Sequence, residues 1–111
     1  MRSIPRYLMI DFETRSAASL RDVSYDRYAG HASTDVLCLG VSLDGSDTRV
    51  VTPAEGPVLT ASDTPPEIVY AVQHRIPVYA HNVAFDRRVY RHQAVQKLGW
   101  QDIPDDLWRC T

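Results

Sequence analysis

The stretch YLMIDFET, residues 7–14, decides the fold, because an apolar run there ends in two carboxylates, Asp11 and Glu13. The near-continuous run from Tyr7 to Phe12 is typical of a strand buried on both faces. Residues two apart in an extended segment point to the same face, so Asp11 and Glu13 are expected side by side. Such a pair repels unless a cation neutralises it or one group takes a proton. Mg²⁺ and Mn²⁺ prefer these oxygen ligands, although a D-x-E alone more often ends a strand in water.

Length and composition predict one modest globular domain spanning residues 1–111. Hydrophobic residues make up 44% of the chain and charged residues 23%, and no apolar run approaches the roughly 20 residues of a membrane span. The two cysteines, Cys38 and Cys110, form no C-x-x-C pair. Structural zinc and a disulfide framework are therefore not expected, and a cytoplasmic location fits. The net charge of −2 argues against a general polyanion-binding surface.

The hydrophobic pattern predicts four further strands, a hairpin turn at DGSD and one polar loop. The later strands are expected at residues 36–43, 48–52, 76–80 and 105–110, the turn at 44–47 and the loop at 53–64. Residues 14–35 carry weaker signals, which fit either a short helix or an ordered loop.

Two helices are predicted between the later strands. The first begins at TPPE, where Thr64 is the expected cap and Glu67 completes a capping box, and runs to about His74. The second runs from about Val83 to Leu98. The order is therefore β-β-β-α-β-α-β, an α/β fold. A helical crossover places the fourth strand parallel to a neighbour. If that neighbour is the first strand, a topological switch point forms at its carboxyl end, where open α/β sheets place their sites.

The second informative stretch is AHNVAFDRR, residues 80–88, which follows the fourth strand and opens the second helix. Asn82 is a favoured cap, and Asp86 in the first turn complements the helix dipole, so local structure alone can account for both. If the first and fourth strands are neighbours, however, Asp86 leaves the same edge of the sheet as Asp11 and Glu13. Three converging carboxylates are hard to explain without a metal ion.

Together these residues resemble the DEDD-type 3′-5′ exonucleases, which have a ribonuclease-H-like fold. IDFET is similar to their first motif, D-x-E-T, and HNVAFD to their second, N-x-x-F/Y-D. YAGHASTDVLCLGVSLDG and LWRCT are most similar to the exonuclease domains of phage-type family A DNA polymerases. The resemblance implies a ribonuclease-H-like mixed sheet with flanking helices, and a proofreading-type exonuclease acting on single-stranded DNA ends. It also implies a bacterial or phage-infected host cell and an association with a polymerase domain.

The resemblance implies that Asp11, Glu13 and Asp86 are the catalytic carboxylates and the ligands of a two-metal site holding Mg²⁺ or Mn²⁺. In the family, two ions about 3.5–4 Å apart activate a water and stabilise the leaving oxygen during in-line displacement.

Four further residues are expected to bind substrate. By resemblance, Thr14 contacts the terminal nucleotide, Asn82 steadies the substrate strand, and Phe85 is its packing partner. Arg88 belongs to a basic run on the second helix and is a candidate phosphate contact, although such a run is more often a solvated helix face.

The third family motif, Y-x-x-x-D or H-x-x-x-D on a later helix, has no counterpart in these 111 residues. The chain is therefore expected to be the amino-terminal part of an exonuclease domain, incomplete at its C-terminus and weak or inactive alone. The alternative is a catalytically inactive remnant that binds protein or nucleic acid. The missing segment of the domain is one expected partner, and an exposed sheet edge is a possible site of homo-oligomerisation. The sequence leaves DNA and RNA open as substrates.

Overall fold

The computed structural model describes residues 5–44 and 48–111 and has an α/β fold with one mixed five-stranded sheet. Its strands are β1 (Leu8–Arg15), β2 (Asp35–Leu43), β3 (Arg49–Val51), β4 (Val78–Ala80) and β5 (Trp108–Cys110). Its helices are α1 (Tyr25–Ala29), α2 (Pro66–Gln73) and α3 (Val83–Val89), which continues as a π-helical segment over Tyr90–Lys97. Short 3₁₀ turns occupy Ala61–Asp63 and Asp105–Leu107. Residues 45–47 of the predicted DGSD turn lie outside the described residues. No helix in the described ranges is long and apolar enough to cross a membrane.

The sheet order is β3-β2-β1-β4-β5, with β1 in the centre. β1 pairs antiparallel with β2 and parallel with β4, where Leu8 lies opposite Val78. β4 in turn pairs parallel with β5. The prediction that the first and fourth strands are parallel neighbours is therefore confirmed. The strand order reverses beside β1, which makes the carboxyl ends of β1 and β4 a switch point.

β1 is buried on one face only, so the expectation of a strand buried on both faces is wrong. Leu8, Ile10 and Phe12 are at most 6% exposed and face the core, whereas Asp11 and Glu13 alternate with them and are exposed. The two crossover connections, β3–α2–β4 and β4–α3–β5, run in the same direction along the sheet. Because such connections are right-handed, α2 and α3 lie over the same face. The opposite face carries the carboxylates.

The start of α2 differs from the prediction. Its N-cap is Pro65, without a side-chain cap, and the Thr64 hydroxyl donates instead to the Ala61 carbonyl at 3.0 Å. Glu67 accepts two hydrogen bonds from Arg49 on β3, at 2.7 and 2.8 Å, rather than closing a capping box. The long-range ion pair competes successfully with the local motif because an Arg–carboxylate pair is bidentate.

The second predicted helix begins at Val83 as expected but changes type at Tyr90. The widened turns are closed by hydrogen bonds such as Leu98 N–H to the Gln93 carbonyl, at 2.9 Å. Tyr90 is 1% exposed and packs against the rings of Trp100 and Trp108. The helix is thereby anchored in the core, and its amino-terminal end lies at the switch point.

Candidate functional site

Asp11 and Glu13 lie on the open face of the sheet, along a groove of ≈ 480 Å³ between β1, β2 and the end of β4. In the pairing of β1 with β2, Asp11 lies opposite Gly40 and Glu13 lies opposite Cys38. A Cβ atom placed on Gly40 would lie 3.9 Å from the Asp11 Cβ. Gly40 therefore presents no side chain to the groove beside Asp11.

Asp86 is held in the first turn of α3 by the cap at Asn82. The Asn82 Oδ1 accepts the Phe85 N–H at 3.2 Å, and its carbonyl accepts the Asp86 N–H at 2.8 Å. The cap predicted from sequence is therefore confirmed. It fixes the end of the helix so that Asp86 points into the protein rather than into solvent, and the residue is only 4% exposed.

The Asp86 and Asp11 carboxylates are close enough to repel each other. Burial, and after it the negative charge of Asp11, raise the pKa of Asp86 to about 6, while a backbone hydrogen bond at Asn82 and the charge of His81 act in the opposite direction. A residue on the carboxyl half of β1 and a residue following β4 thus share one electrostatic environment. This arrangement is the one expected if β1 and β4 deliver carboxylates to a common edge.

The chemistry of these side chains fits a hard divalent cation, since carboxylate oxygens are the preferred ligands of Mg²⁺ and Mn²⁺. Their arrangement is a partial match. Within residues 5–44 and 48–111, no three His, Cys, Asp or Glu side chains lie together in a group that could hold a metal ion. Asp11 and Glu13 share one face of β1, and the charge of Asp11 acts on Asp86, but the three-carboxylate metal site stays a prediction.

The residues expected to bind substrate meet two tyrosines of α1. The Thr14 hydroxyl hydrogen-bonds with the Tyr28 hydroxyl at 3.0 Å, and the Asn82 Nδ2 donates to the Tyr25 hydroxyl at 3.1 Å. The Phe85 ring packs against both tyrosines, with ring centroids 5.3 Å away for Tyr25 and 5.7 Å for Tyr28. We call the three rings and the two polar side chains bonded to them the aromatic cluster: Tyr25, Tyr28, Phe85, Thr14 and Asn82. It joins the end of β1 to the start of α3.

Tyr25 was not identified as a site residue from the sequence. Two features of the sequence could have indicated it: Tyr25 lies three residues before Tyr28, and Ser24 is placed to cap a helix that begins at Tyr25. The Ser24 Oγ accepts the Arg27 N–H at 3.2 Å and caps α1. One turn of capped helix places Tyr25 and Tyr28 on the same side, which is the side that faces α3.

Arg88 points along its own helix and towards α1. Its guanidinium donates to the Ala84 carbonyl at 2.6 Å. A hydrogen bond from His92 lowers the pKa of the Asp26 carboxyl, and the positive charge of Arg88 contributes to the same effect. A role for Arg88 in phosphate binding stays a prediction.

Neither a scan against protein-family models nor a search of curated proteins finds a match to this chain. The resemblance to the DEDD exonucleases therefore depends on the motifs, their order and their positions in the fold.

Proposed function

We propose that the chain is a ribonuclease-H-like domain of the DEDD exonuclease class, which removes nucleotides from the 3′ end of single-stranded DNA. The strand order β3-β2-β1-β4-β5, with β1 and β4 parallel, supports this fold. The observation that carries the functional proposal is the placement of Asp11 on β1 and of Asp86 in the first turn of the helix after β4, because β1 and β4 are parallel neighbours and the two motifs supply these residues from different parts of the chain. The charge of Asp11 also raises the pKa of Asp86.

In this proposal Asp11, Glu13 and Asp86 hold Mg²⁺ or Mn²⁺, which would bear charge on the attacking and leaving oxygens of the phosphodiester. Asp86 is buried, and its ionisation is favoured when a cation lies beside it. Within the aromatic cluster, Tyr25 and Tyr28 hold Thr14, Asn82 and Phe85 in place. These side chains would fix the last nucleotide relative to the carboxylates, and such positioning is a large part of phosphoryl-transfer catalysis.

The 111 residues are expected to cut single-stranded DNA feebly or not at all. They contain no Y-x-x-x-D or H-x-x-x-D motif on a later helix, so no residue is assigned to position the water. Each missing contribution of this kind typically costs about 10²–10⁴ in rate. A longer chain, or a complex, that supplies the third motif should cut from the 3′ end with Mg²⁺ or Mn²⁺.

Titration calorimetry with Mn²⁺ tests the metal site independently of cutting. We expect wild type and the control Glu55→Ala, in which an exposed carboxylate of the loop before α2 is removed, to give the same heats. Asp11→Ala should give little heat, because it removes one carboxylate of the pair. Equal heats for wild type and Asp11→Ala would remove Asp11 from the site.

Digestion of a 5′-labelled single-stranded oligonucleotide tests the activity, with a chain or complex that carries the third motif. A ladder shortened from the 3′ end, dependent on metal and lost in Asp11→Ala, supports the proposal. Robust Asp11-dependent cutting by the 111 residues alone would show that another residue, or a second copy of the chain, completes the site.

The second candidate is an inactive module that keeps the fold and binds protein or nucleic acid. The absence of a three-ligand group among the described residues favours it. It predicts binding to single-stranded nucleic acid that needs no metal and is unchanged in Asp11→Ala. Pairing of two copies through a sheet edge also stays a proposal, and the edge strands β3 and β5 have three residues each.

A further inference from the structure

α1 places two tyrosines beside the proposed substrate residues, but in different environments. Tyr28 is 8% exposed and its hydroxyl is satisfied by Thr14. Tyr25 is 40% exposed, although its hydroxyl accepts a hydrogen bond from Asn82 and its ring has an edge contact with Phe85. Tyr28 is therefore a core residue, whereas Tyr25 leaves part of its surface in solvent beside Asn82.

Helix α1, which carries Tyr25, is held by two adjacent residues of the helix opposite. The His92 Nε2 hydrogen-bonds to the Asp26 carboxylate at 2.8 Å, and the Gln93 Nε2 donates to the Ala29 carbonyl at 2.6 Å. The π-helical segment supplies both His92 and Gln93. Because α1 is fixed in this way, Tyr25 would lose little conformational freedom when a ligand packs on it.

We infer that Tyr25 is the stacking surface for a nucleobase close to the 3′ end of the bound strand. Aromatic rings are the common platform for single-stranded nucleic acid, and every base presents a face that can stack on them. The hydrogen bond from Asn82 sets the position of the Tyr25 hydroxyl, and the contact with Phe85 sets that of the ring. The inference rests on the proposed function and adds a substrate-contacting residue that tolerates any base.

The test compares an intact 5′-labelled oligonucleotide with one whose last three nucleotides are abasic. Affinities are measured by fluorescence anisotropy at low ionic strength in EDTA, so that a metal-dependent site cannot cut the probe. The proteins are wild type, Tyr25→Phe, Tyr25→Leu and the control Tyr70→Leu. Tyr70 is a partly buried tyrosine on α2 that packs against His74. Thermal unfolding of each protein accompanies the titrations.

For wild type we expect a loss of about 5- to 100-fold in affinity when the bases are removed, which is the usual contribution of one stacked base. Tyr25→Phe and Tyr70→Leu should keep this dependence on the bases. Tyr25→Leu should bind the intact probe as weakly as wild type binds the abasic probe, and should lose nothing further when the bases are removed.

A purely structural role for Tyr25 would weaken binding of both probes equally, and that result overturns the inference. Equal affinity of wild type for the two probes also overturns it, whatever the variants do. If Asp11-dependent cutting is observed and Tyr25→Leu behaves as wild type, the inference fails while the proposed function stands. A wild-type chain that neither binds the probes nor, with the third motif supplied, cuts them overturns both.

Discussion

Replacing Asp86 with Asn should change how the stability of the protein depends on pH. Asp86 is 4% exposed, and burial, followed by the charge of Asp11, raises its pKa from 3.8 to about 6. The folded protein therefore favours the protonated carboxyl. The contribution of that group to stability is fully present below the unfolded pKa and is lost as the pH rises through about 6.

The gap between a pKa of 3.8 in the unfolded chain and about 6 in the folded protein corresponds to about 3 kcal/mol. Asn has the size of Asp and no charge. Relative to wild type, the free energy of unfolding of Asp86→Asn should therefore rise by about 2.5 kcal/mol between pH 4 and pH 8, because part of the full difference has already developed below pH 4. Urea unfolding in EDTA across this range measures the difference, with an unchanged m-value as the check that both proteins unfold alike.

Two controls separate the causes. Glu55→Gln, at an exposed site, should follow wild type at every pH. Asp11→Asn should keep most of the pH dependence, because burial is the larger cause, and should lose the part that Asp11 contributes. If the difference between Asp86→Asn and wild type is flat from pH 4 to pH 8, Asp86 is not desolvated as the structure indicates, and the electrostatic coupling to Asp11 is refuted.

Three other substitutions test separate parts of the fold by urea unfolding. Asp63 accepts N–H groups of Thr60 and Ala54, which lower its pKa, so its contribution is present above the unfolded pKa and lost as the pH falls. Asp63→Asn should cost about 1–2 kcal/mol at pH 7 and less near pH 3; an equal cost at both would contradict this. Gln93→Ala removes the donor to the buried Ala29 carbonyl and should cost about 1–3 kcal/mol, whereas a neutral effect would mean that α1 is held by other contacts. Gly99 has φ +78° with open space around it, so Gly99→Ala should cost about 1 kcal/mol from backbone strain alone, and a larger loss would indicate a clash that the structure does not contain.

The central sheet could be predicted because its signals are local or follow general rules. The apolar runs of β1 and β2 and the crossover rule give the strands and the pairing of β1 with β4. α1 could not be predicted in the same way. Its position depends on Asp26 meeting His92 and on the Ala29 carbonyl meeting Gln93, contacts that join residues more than 60 positions apart. The capping box at Thr64 failed for a related reason, since its Glu67 binds Arg49 instead.

The environments of the three candidate carboxylates could not be predicted from the sequence. Asp11 and Glu13 follow an apolar run, yet they alternate onto the open face of the sheet and are exposed. Asp86 follows a polar cap on an arginine-rich helix, yet it is buried. Periodicity assigns residues to faces of an element. Whether a face is covered depends on the helices that cross it, and only the three-dimensional structure contains that information.

The burial of Asp86 connects the stability of the protein with its proposed function. A carboxyl with a pKa of about 6 is largely ionised at neutral pH and, without a cation, lies close to the charge of Asp11. In the metal-free protein, the buried charge of Asp86 next to that of Asp11 therefore lowers stability. An uncharged residue of the same size, such as Asn, would remove this cost. A divalent cation between the two groups would reverse its sign, because opposite charges lower a carboxyl pKa while like charges raise it. An acidic residue kept in a buried position at a cost in stability is the pattern expected of a functional site, and it favours the metal-binding proposal over the inactive module.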